Sequence, residues 1–407
     1  MLVPRWWSII AMERKGSKFK MVEMVAGKLD RHIQTRFKRI NISAVCLAVV
    51  ILSLSGVASF RLLTTSPLVE REFLEEQTER DPSEPFRLGP LVTDWDEQRA
   101  EWLEKQPHMR TTIKGKPRMF TITGSQTEEC LNPIGDYWLL KAYKNKMDYC
   151  RRHHIESYYN MGVMDSAMVD FWVKLPLIRN MMLTHPEVEW VWWMDSDAMF
   201  TDMAFEIPLE KYADHNMVIH GWPHEVFEKK NWVGLNAGIF LVRNCQWTLD
   251  FLDLWGSLGE NRGLQRWNVG KILTQSLQGR VDNFPADDQS SLIYLLNDMK
   301  DKLSPKIYLE SDYYLHGYWV YLTDNYEENM RTSHPGFGDD RWPFITHFVG
   351  CKLCADNNDY PKAKCLQHMS RAFNFADNQV VEEFGLQHVS LESPILRRLK
   401  NSTSTAR

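Results

Sequence analysis

The residues best suited to chemistry stand in the segment Trp-Met-Asp-Ser-Asp-Ala, where Asp195 and Asp197 are separated by Ser196. Two carboxylates at this spacing point the same way on an extended chain. Such a pair holds Mg²⁺ or Mn²⁺, because both cations take oxygen ligands from carboxylates and phosphates. Exposed turns often contain the same motif, but here it directly follows the apolar run 188–194. The pattern predicts a metal–diphosphate site at a strand end.

Two small-residue segments lie beside other predicted strands. Segment 124–126, with the sequence Gly-Ser-Gln, follows a β-rich run, and its glycine allows backbone amides to approach a phosphate or a base. It lacks the GxGxxG and Walker patterns, so the sequence gives no support for a dinucleotide or kinase site. Segment 234–238 carries the single amide Asn236 before a strand and suits close approach by a sugar. An ordinary turn explains each segment equally well.

Two adjacent acids, Asp287 and Asp288, follow the segment Phe-Pro-Ala and precede Gln289. Neighbouring residues on a strand face opposite ways, so both acids serve one site only in a loop or at a helix start. A helix start is itself an alternative, since acids cap helices and favour their dipole. The pattern leaves open whether one acid contacts a substrate.

A histidine and a lysine near the C-terminus are further candidates. His347 stands in an apolar strand, where a buried histidine of the core is the default interpretation. It becomes a metal ligand only if the fold brings it to the aspartate pair. Lys352 would then be available to a phosphate, and a separation of about 150 residues prevents any test from spacing alone.

Alternating strands and helices are predicted around these residues. Such alternation favours an α/β sheet of Rossmann-like character, in which ligands bind beyond the carboxyl ends of strands. The predicted strands cover residues 119–123, 155–159, 188–194, 217–220 and 238–242, and the predicted helices cover 95–103, 139–153, 168–183 and 246–258.

The N-terminal part has a different composition. Residues 1–39 are rich in Lys and Arg, and 40–60 form an uncharged apolar run. At about 1.5 Å per helical residue this run is long enough to cross a membrane. A cleaved signal peptide would need a shorter apolar region nearer the start. The charge asymmetry predicts a type II anchor with a cytosolic tail, followed by a proline-rich stem over 61–92 and a lumenal domain over 93–392.

Charge and cysteine content constrain the remaining possibilities. A net charge of −5 gives no reason to expect a nucleic-acid partner. Six cysteines follow the apolar run, and an oxidising lumen favours disulfides among them, with pairing unreadable from sequence. Cys351-x2-Cys354 would otherwise begin a zinc site, but no second close pair accompanies it. Asn401 begins a glycosylation sequon in the predicted tail, 393–407.

Three ordered blocks resemble one known family. Segments 192–203, 234–247 (GLNAGIFLVRNCQW) and 346–354 (THFVGCKLC) are similar to those of the plant xyloglucan α-1,6-xylosyltransferases. Galactomannan α-galactosyltransferases belong to the same family. The resemblance runs from about residue 95 to 389 and implies a GT-A fold, a UDP-sugar donor, Mn²⁺ with Mg²⁺ as an alternative, and retention of anomeric configuration.

The resemblance also implies roles for particular residues. Asp195, Asp197 and His347 would be the metal ligands, and Asp287, Asp288 and Gln289 would stand at the reaction centre. The donor would be bound by Gly124, Ser125, Ser196, Asn236, Ala237, Gly238, Gly350 and Lys352. A front-face route, in which the leaving phosphate assists the incoming hydroxyl, needs no protein nucleophile; a double displacement would need one, such as Asp288.

Within the family, the segments YYLHGY and PGFGDDRW favour transfer of xylose from UDP-xylose to O6 of glucose in a β-1,4-glucan. A galactomannan galactosyltransferase using UDP-galactose is the alternative, and an inactive scaffold or carbohydrate-binding partner in a Golgi complex is another. The resemblance implies residence in the Golgi membrane and assembly with itself or related transferases. Acceptor contacts are predicted for Trp222, His316, Trp319 and Trp342. The three tryptophans would stack on the glucan chain, although a place in the core explains them equally well.

Overall fold

The computed structural model describes residues 85–261, 264–355 and 357–399. The strands, β1 to β13 in chain order, are Thr112–Ile113, Lys116–Pro117, Met119–Gly124, Glu156–Asn160, Trp190–Met194, Ala198–Phe200, Met217–Gly221, Leu235–Arg243, Ile307–Glu310, Gly317–Tyr318, Ile345–His347, Leu386–His388 and Leu396–Arg398. The helices, α1 to α10, are Trp95–Lys105, Pro133–His153, Lys174–Thr184, Gln246–Gly256, Gln265–Ser276, Asp288–Asp298, Lys300–Leu303, Trp319–Leu322, Tyr326–Thr332 and Lys362–Val381.

The central sheet has six strands in the order β4-β3-β5-β8-β7-β9. Strands β4, β3 and β5 are parallel, β8 is antiparallel to both of its neighbours, and β7 and β9 are parallel to each other. The predicted α/β fold, in which strands of one sheet alternate with helices along the chain, is confirmed. Because β8 runs against β5 and β7, its beginning lies at the edge where those two strands end. This edge therefore collects the residues after β3, β5 and β7 with the first residues of β8.

Strand β5 shows why this segment lies at the centre of the sheet. All five of its residues are buried. Val191 and Trp193 pack into the core on one face, whereas Trp190, Trp192 and Met194 pack into the core on the other. A strand covered on both faces is expected to be apolar throughout rather than alternating. The rigid strand then ends at the aspartate pair.

A second sheet contains three short strands in the order β10-β11-β6. Its strand β6 follows β5 directly after the aspartate pair. Strand β11 is antiparallel to β6, and His347 pairs with Ala198 in their register. The polar residue Thr346 of β11 is also buried, where its hydroxyl meets those of Thr201 and Tyr326. This pairing brings His347 next to the aspartate pair, although the residues lie far apart in the sequence.

The globular part begins earlier than predicted. Leu88 lies within the predicted stem, yet it is buried in the main core, and its backbone N–H donates to Asp253. At the other end, β13 lies in the predicted tail and pairs with β12. The helix predicted over 139–153 begins at Pro133, because the Asn132 side chain caps the Gly135 N–H and proline suits the first helical position.

Two disulfides join Cys130 to Cys354 and Cys351 to Cys365. Cys150 and Cys245 are free thiols, so four of the six cysteines follow the prediction of disulfide pairing. Among the residues described, no helix is long and apolar enough to cross a membrane. The predicted anchor over 40–60 and the sequon at Asn401 lie outside the described residues.

Candidate active site

Asp195, Asp197 and His347 form a cluster beyond the end of β5. One ligand atom from each lies within 4.8 Å of the others. His347 Nε2 is 3.0 Å from Asp197 Oδ1 and 4.0 Å from Asp195 Oδ2. The histidine is buried, while both aspartates are partly exposed. Although burial opposes ionisation, the neighbouring His347 lowers the pKa of Asp197 below its usual value. The cluster therefore presents two carboxylates and one imidazole nitrogen to the same point.

Backbone contacts explain this convergence. The Asp195 N–H donates to Gly238 O at 2.8 Å, and the Phe348 N–H donates to Asp197 O at 3.0 Å. Gly238 has no side chain where one would collide: a Cβ there would lie 2.4 Å from His347 Cε1 and 2.7 Å from Asp195 Oδ2. The glycine is thus required for the histidine and the aspartate to approach each other.

A lysine supports the aspartate turn from inside the protein. The Lys146 side chain is fully buried, and its Nζ donates to Ala198 O at 2.7 Å and to Ser196 O at 3.3 Å. Burial lowers the pKa of Lys146 to about 8, although the nearby aspartates oppose the shift. Ser196 therefore stabilises the turn through its carbonyl oxygen, and the residue itself is partly exposed.

Lys174 is a buried residue of this site that the sequence analysis missed. Its Nζ lies 2.7 Å from Asp288 Oδ2 and 3.7 Å from Asp195 Oδ1, and it donates to Ala237 O at 2.8 Å. Burial opposes its charge, but the two carboxylates raise the pKa of Lys174 above its ordinary value. The signal in the sequence was weak: a lysine at the start of a helical segment whose next four residues are apolar.

The two adjacent acids have separate roles. Asp287 caps α6 by accepting from the Ser290 N–H at 2.7 Å, and it also accepts from Arg280 at 3.0 Å. Both of its carboxylate oxygens thus accept hydrogen bonds within the protein, which matches the alternative of a helix cap. Asp288 instead faces Lys174. Burial raises the pKa of Asp288 to about 6, with Lys174 opposing part of the shift.

Gln289 joins this helix to the beginning of β8. Its Oε1 accepts from the Ala237 N–H at 3.3 Å and from Asn236 Nδ2 at 3.4 Å, while its Nε2 donates to Trp232 O at 3.0 Å. Asn236 Oδ1 in turn accepts from the Gly238 N–H at 3.0 Å. The structure thus brings Asn236, Ala237 and Gly238 together with Gln289 beside the metal-type cluster.

Gly124 and Ser125 follow β3 at the same edge of the sheet. The Ser125 N–H donates to Asn160 O at 3.1 Å, and a Cβ on Gly124 would stand 3.0 Å from that oxygen. The turn is therefore tight because it lies directly against the end of β4. The Ser125 side chain is partly exposed, and its hydroxyl donates to Gln126 O at 3.3 Å.

Gly350 and Lys352 lie in a loop held by both disulfides. Gly350 has φ of +87°, in the left-handed region that favours glycine. Lys352 Nζ is 3.5 Å from Asp359 Oδ1, and its side chain is about half exposed. In this conformation Lys352 is paired with a surface acid rather than with the aspartate cluster. A phosphate contact requires it to leave Asp359.

The four residues predicted to contact the acceptor sugar differ in their burial. Trp319 and Trp342 are core residues whose indole N–H groups donate to backbone carbonyls of Val349 and Thr201. Neither offers a ring face to a sugar, which corrects their predicted stacking role. Trp222 directly follows β7 at the active edge and is 40% exposed. His316 lies against His347, with the two Nδ1 atoms 3.0 Å apart.

The arrangement suits a divalent cation bound to a charged oxygen ligand. Two carboxylates supply the oxygen donors that Mg²⁺ and Mn²⁺ prefer, and imidazole is more typical of transition metals. Both aspartates are partly exposed, so they remain open to an outside ligand. The residues fit Mn²⁺ better than Mg²⁺, and Lys174 places a positive charge immediately beneath.

Comparisons with known proteins identify the family of this chain. Residues 115–358 match the model of the galactosyl transferase GMA12/MNN10 family. Xyloglucan 6-xylosyltransferase 2 of Arabidopsis thaliana is 53% identical over 339 residues, which cover 83% of this chain and 73% of that protein. Probable xyloglucan 6-xylosyltransferase 3 of Arabidopsis thaliana is 48% identical over 396 residues, covering 92% and 86%.

Among solved structures, a glycosyltransferase involved in the glycosylation of the major capsid of PBCV-1 is 14% identical, with a TM-score of 0.39. The alignment covers 62% of this chain and 98% of that one. The assignment to a family rests instead on the family model, whose match over residues 115–358 spans the aspartate pair, Lys174 and the adjacent acids, and on the two plant relatives. The chain belongs to the galactosyl transferase GMA12/MNN10 family and is a glycosyltransferase.

Proposed function

We propose that this protein is a xyloglucan 6-xylosyltransferase, which transfers α-xylosyl from UDP-xylose to O6 of glucose in a β-1,4-glucan with retention. The two plant relatives bear that name or its probable form and are about half identical over most of the chain. The observation that carries the proposal is the convergence of Asp195, Asp197 and His347 with the buried Lys174–Asp288 pair at one sheet edge. We also assign the domain to the GT-A class.

Each residue has a task in this reaction. Asp195, Asp197 and His347 would hold Mn²⁺, which when bound neutralises the donor diphosphate and stabilises it as a leaving group. Lys174 adds a fixed positive charge in a buried setting, where it acts more strongly than in water. Asn236 and Gln289 present amide groups beside this charge, suited to sugar hydroxyls.

The contacts of the two acids support the front-face route. Asp287 is occupied by a helix N-terminus and by Arg280. Asp288 is buried and in ionic contact with Lys174, which reduces the nucleophilicity of its carboxylate. With neither acid free to attack the anomeric carbon, we favour departure of the diphosphate on the same face that receives the glucan hydroxyl. Asp288 then stabilises positive charge that develops at the sugar.

The location proposed for this activity is the Golgi lumen, with residues 40–60 as a type II anchor. The support is the sequence itself, in which a basic segment precedes an uncharged apolar run. The two disulfides of the globular part fit an oxidising compartment. Protease protection of the C-terminal part in intact microsomes tests this orientation; digestion of that part without detergent contradicts it.

The activity is tested with the full-length chain, purified in detergent and given cellohexaose, UDP-xylose and Mn²⁺. Mass spectrometry is expected to show added pentose, which EDTA abolishes and Mn²⁺ restores. The variants Asp195→Ala and Asp197→Ala are expected to lose activity, whereas Asp214→Ala, an exposed acid away from the site, is the matched control. Pentose transfer that survives both substitutions refutes the metal site.

Donor and acceptor identity are tested separately. UDP-galactose and a manno-oligosaccharide form the second arm, because the family model is named for galactosyl transferases. A single hydroxymethyl group discriminates by only a few kcal/mol, so both donors are compared by kcat/KM. Hexose transfer to mannan without pentose transfer to glucan makes the protein a galactosyltransferase. No transfer with any pair, in a folded chain, favours an inactive partner.

A further inference from the structure

His316 and His347 make a direct contact between ring nitrogens. Their Nδ1 atoms are 3.0 Å apart, and the ring planes are nearly perpendicular, at 88°. His316 immediately precedes β10, which pairs in parallel with β11, the strand that ends at His347. The contact is therefore built into the small sheet, and it occupies the His347 nitrogen that faces away from the aspartates.

A hydrogen bond between two ring nitrogens requires a proton on one of them only. His347 Nε2 faces Asp195 and Asp197, so this is the nitrogen available to a cation. A metal-binding nitrogen must offer its lone pair, and the neutral ring then carries its proton on Nδ1. It follows that His347 Nδ1 donates, that His316 Nδ1 accepts, and that His316 carries its own proton on Nε2.

We propose that His316 is a positioning residue of the metal site, which holds His347 in the Nδ1–H form and directs its Nε2 lone pair at the cation. The inference rests on the metal dependence in the proposed function. It gives His316 a role different from the acceptor contact predicted from sequence. Partners of this kind orient metal-binding histidines, and their loss typically weakens metal affinity by about 10–100-fold.

A histidine suits this position for a further reason. In a second arrangement, His347 Nε2 hydrogen-bonds to Asp197 Oδ1, which is 3.0 Å away. The Nε2 atom must then carry the proton, because a carboxylate only accepts. The bond between the two Nδ1 atoms then runs in the opposite direction, from His316 to His347. An imidazole supports both arrangements, whereas a carboxylate at this position would support only one. The pair therefore keeps the ring in place while its proton changes nitrogen.

The test measures Mn²⁺ affinity rather than turnover. The full-length chain with UDP is titrated with Mn²⁺, and free Mn²⁺ is followed by its electron paramagnetic resonance signal. His316→Phe keeps a ring but removes the acceptor, and we expect the Kd for Mn²⁺ to rise about 10–100-fold. His316→Asn places an amide near the former Nδ1 and is expected to restore most of the affinity. His316→Gln places it near Nε2 and is expected to resemble His316→Phe.

His368→Phe is the matched control, because His368 is also a buried histidine with one side-chain hydrogen bond, to Thr323 at 2.7 Å. It is expected to lower Tm without changing the Kd for Mn²⁺. If His316→Phe does not fold, the pair of His316→Asn and His316→Gln still separates the two roles. Equal affinities for that pair, or wild-type affinity in His316→Phe, overturn the inference. A wild-type chain that binds no Mn²⁺ with UDP present refutes the proposed metal site together with it.

Discussion

Lys174 Nζ stands 2.7 Å from Asp288 Oδ2, with both side chains buried between α3 and α6 at the active edge of the sheet. The two residues are separated by more than one hundred positions in the sequence, so only the fold brings them together. Trp172, just before α3, donates its indole N–H to Ala286 O, which precedes the acids. This bond holds the starts of the two helices together beside the ion pair.

The first prediction concerns this pair. Lys174→Met leaves Asp288 as a buried carboxylate without a partner, which costs about 3–5 kcal/mol of unfolding free energy. The double variant Lys174→Met/Asp288→Asn removes both charges and is expected to regain much of that stability. Activity should remain at least about 100-fold below wild type in both, because the fixed charge beneath the donor is lost. Chemical denaturation and xylosyl transfer measure the two effects.

A structural role alone would give a different result. If the double variant regains activity together with stability, Lys174 serves the fold and not the reaction. Lys300→Met is the control, because Lys300 is a lysine away from the site whose charge lies over the Phe227 ring. It is expected to change kcat by less than about twofold, since it touches neither donor nor acid.

The second prediction concerns pH. Because burial raises the pKa of Asp288 to about 6, the acid is ionised only above that pH in the folded protein. The proposed mechanism uses the carboxylate, so kcat/KM should fall as pH decreases through 6. Asp288→Asn should have low activity without this limb. Matching acid limbs in wild type and Asp288→Asn would assign the loss to another group.

The same shift affects stability with a definite sign. The unfolded carboxyl has a pKa near 3.9, so between about pH 4 and 6 the folded protein binds the proton more tightly than the unfolded chain. The contribution of the protonated Asp288 carboxyl to the unfolding free energy is complete below about pH 4 and is lost as pH rises through 6. The unfolding free energy of Asp288→Asn, taken relative to wild type at each pH, should therefore increase by on the order of 2–3 kcal/mol from pH 4 to pH 7. Urea unfolding across that range measures the difference.

The third prediction concerns Gly238. In Gly238→Ala the new methyl group would lie 2.4 Å from His347 Cε1, so the histidine or Asp195 must move. We expect Mn²⁺ affinity to fall at least about tenfold, by analogy with the loss of a supporting partner. Gly162→Ala is the control, because the nearest atom to its Cβ would be 3.7 Å away, an ordinary contact. Equal Mn²⁺ affinity in the two variants contradicts the requirement for glycine.

The fourth prediction concerns the disulfides around Lys352. Cys351 pairs with Cys365 of α10, and Cys354 pairs with Cys130 just before α2. Cys130→Ser/Cys354→Ser should lower the unfolding free energy by about 2–5 kcal/mol, since a native disulfide restricts the unfolded chain. It should also raise KM for the donor if Lys352 contacts its diphosphate.

The free thiol Cys245 provides the comparison for that variant. Cys245→Ser is expected to leave KM for the donor unchanged, and its stability should change by less than the disulfide variant. A disulfide variant that loses stability but keeps the wild-type KM would remove Lys352 from the donor site. Calorimetry and initial rates at varied UDP-xylose give both quantities.

Local sequence determined much of this protein. The apolar run of β5 and the carboxylates that follow it establish a strand and the position of Asp195 and Asp197, because periodicity and burial are properties of neighbouring residues. The blocks that resemble known transferases pointed to His347 as a third ligand. The alternation of strands and helices likewise indicated the α/β sheet that the pairing shows.

Other features were decided only by tertiary structure. Which of the acids faces the site depended on the start of α6, where Asp287 became the cap and Asp288 met Lys174. The contacts of Lys174 with Asp288 and of His316 with His347 join residues that no local pattern relates. Trp319 and Trp342 carry the same indole as Trp222, but packing alone determined that the first two are core residues. Burial and long-range pairing arise when distant segments come together, so a single sequence specifies such contacts without displaying them.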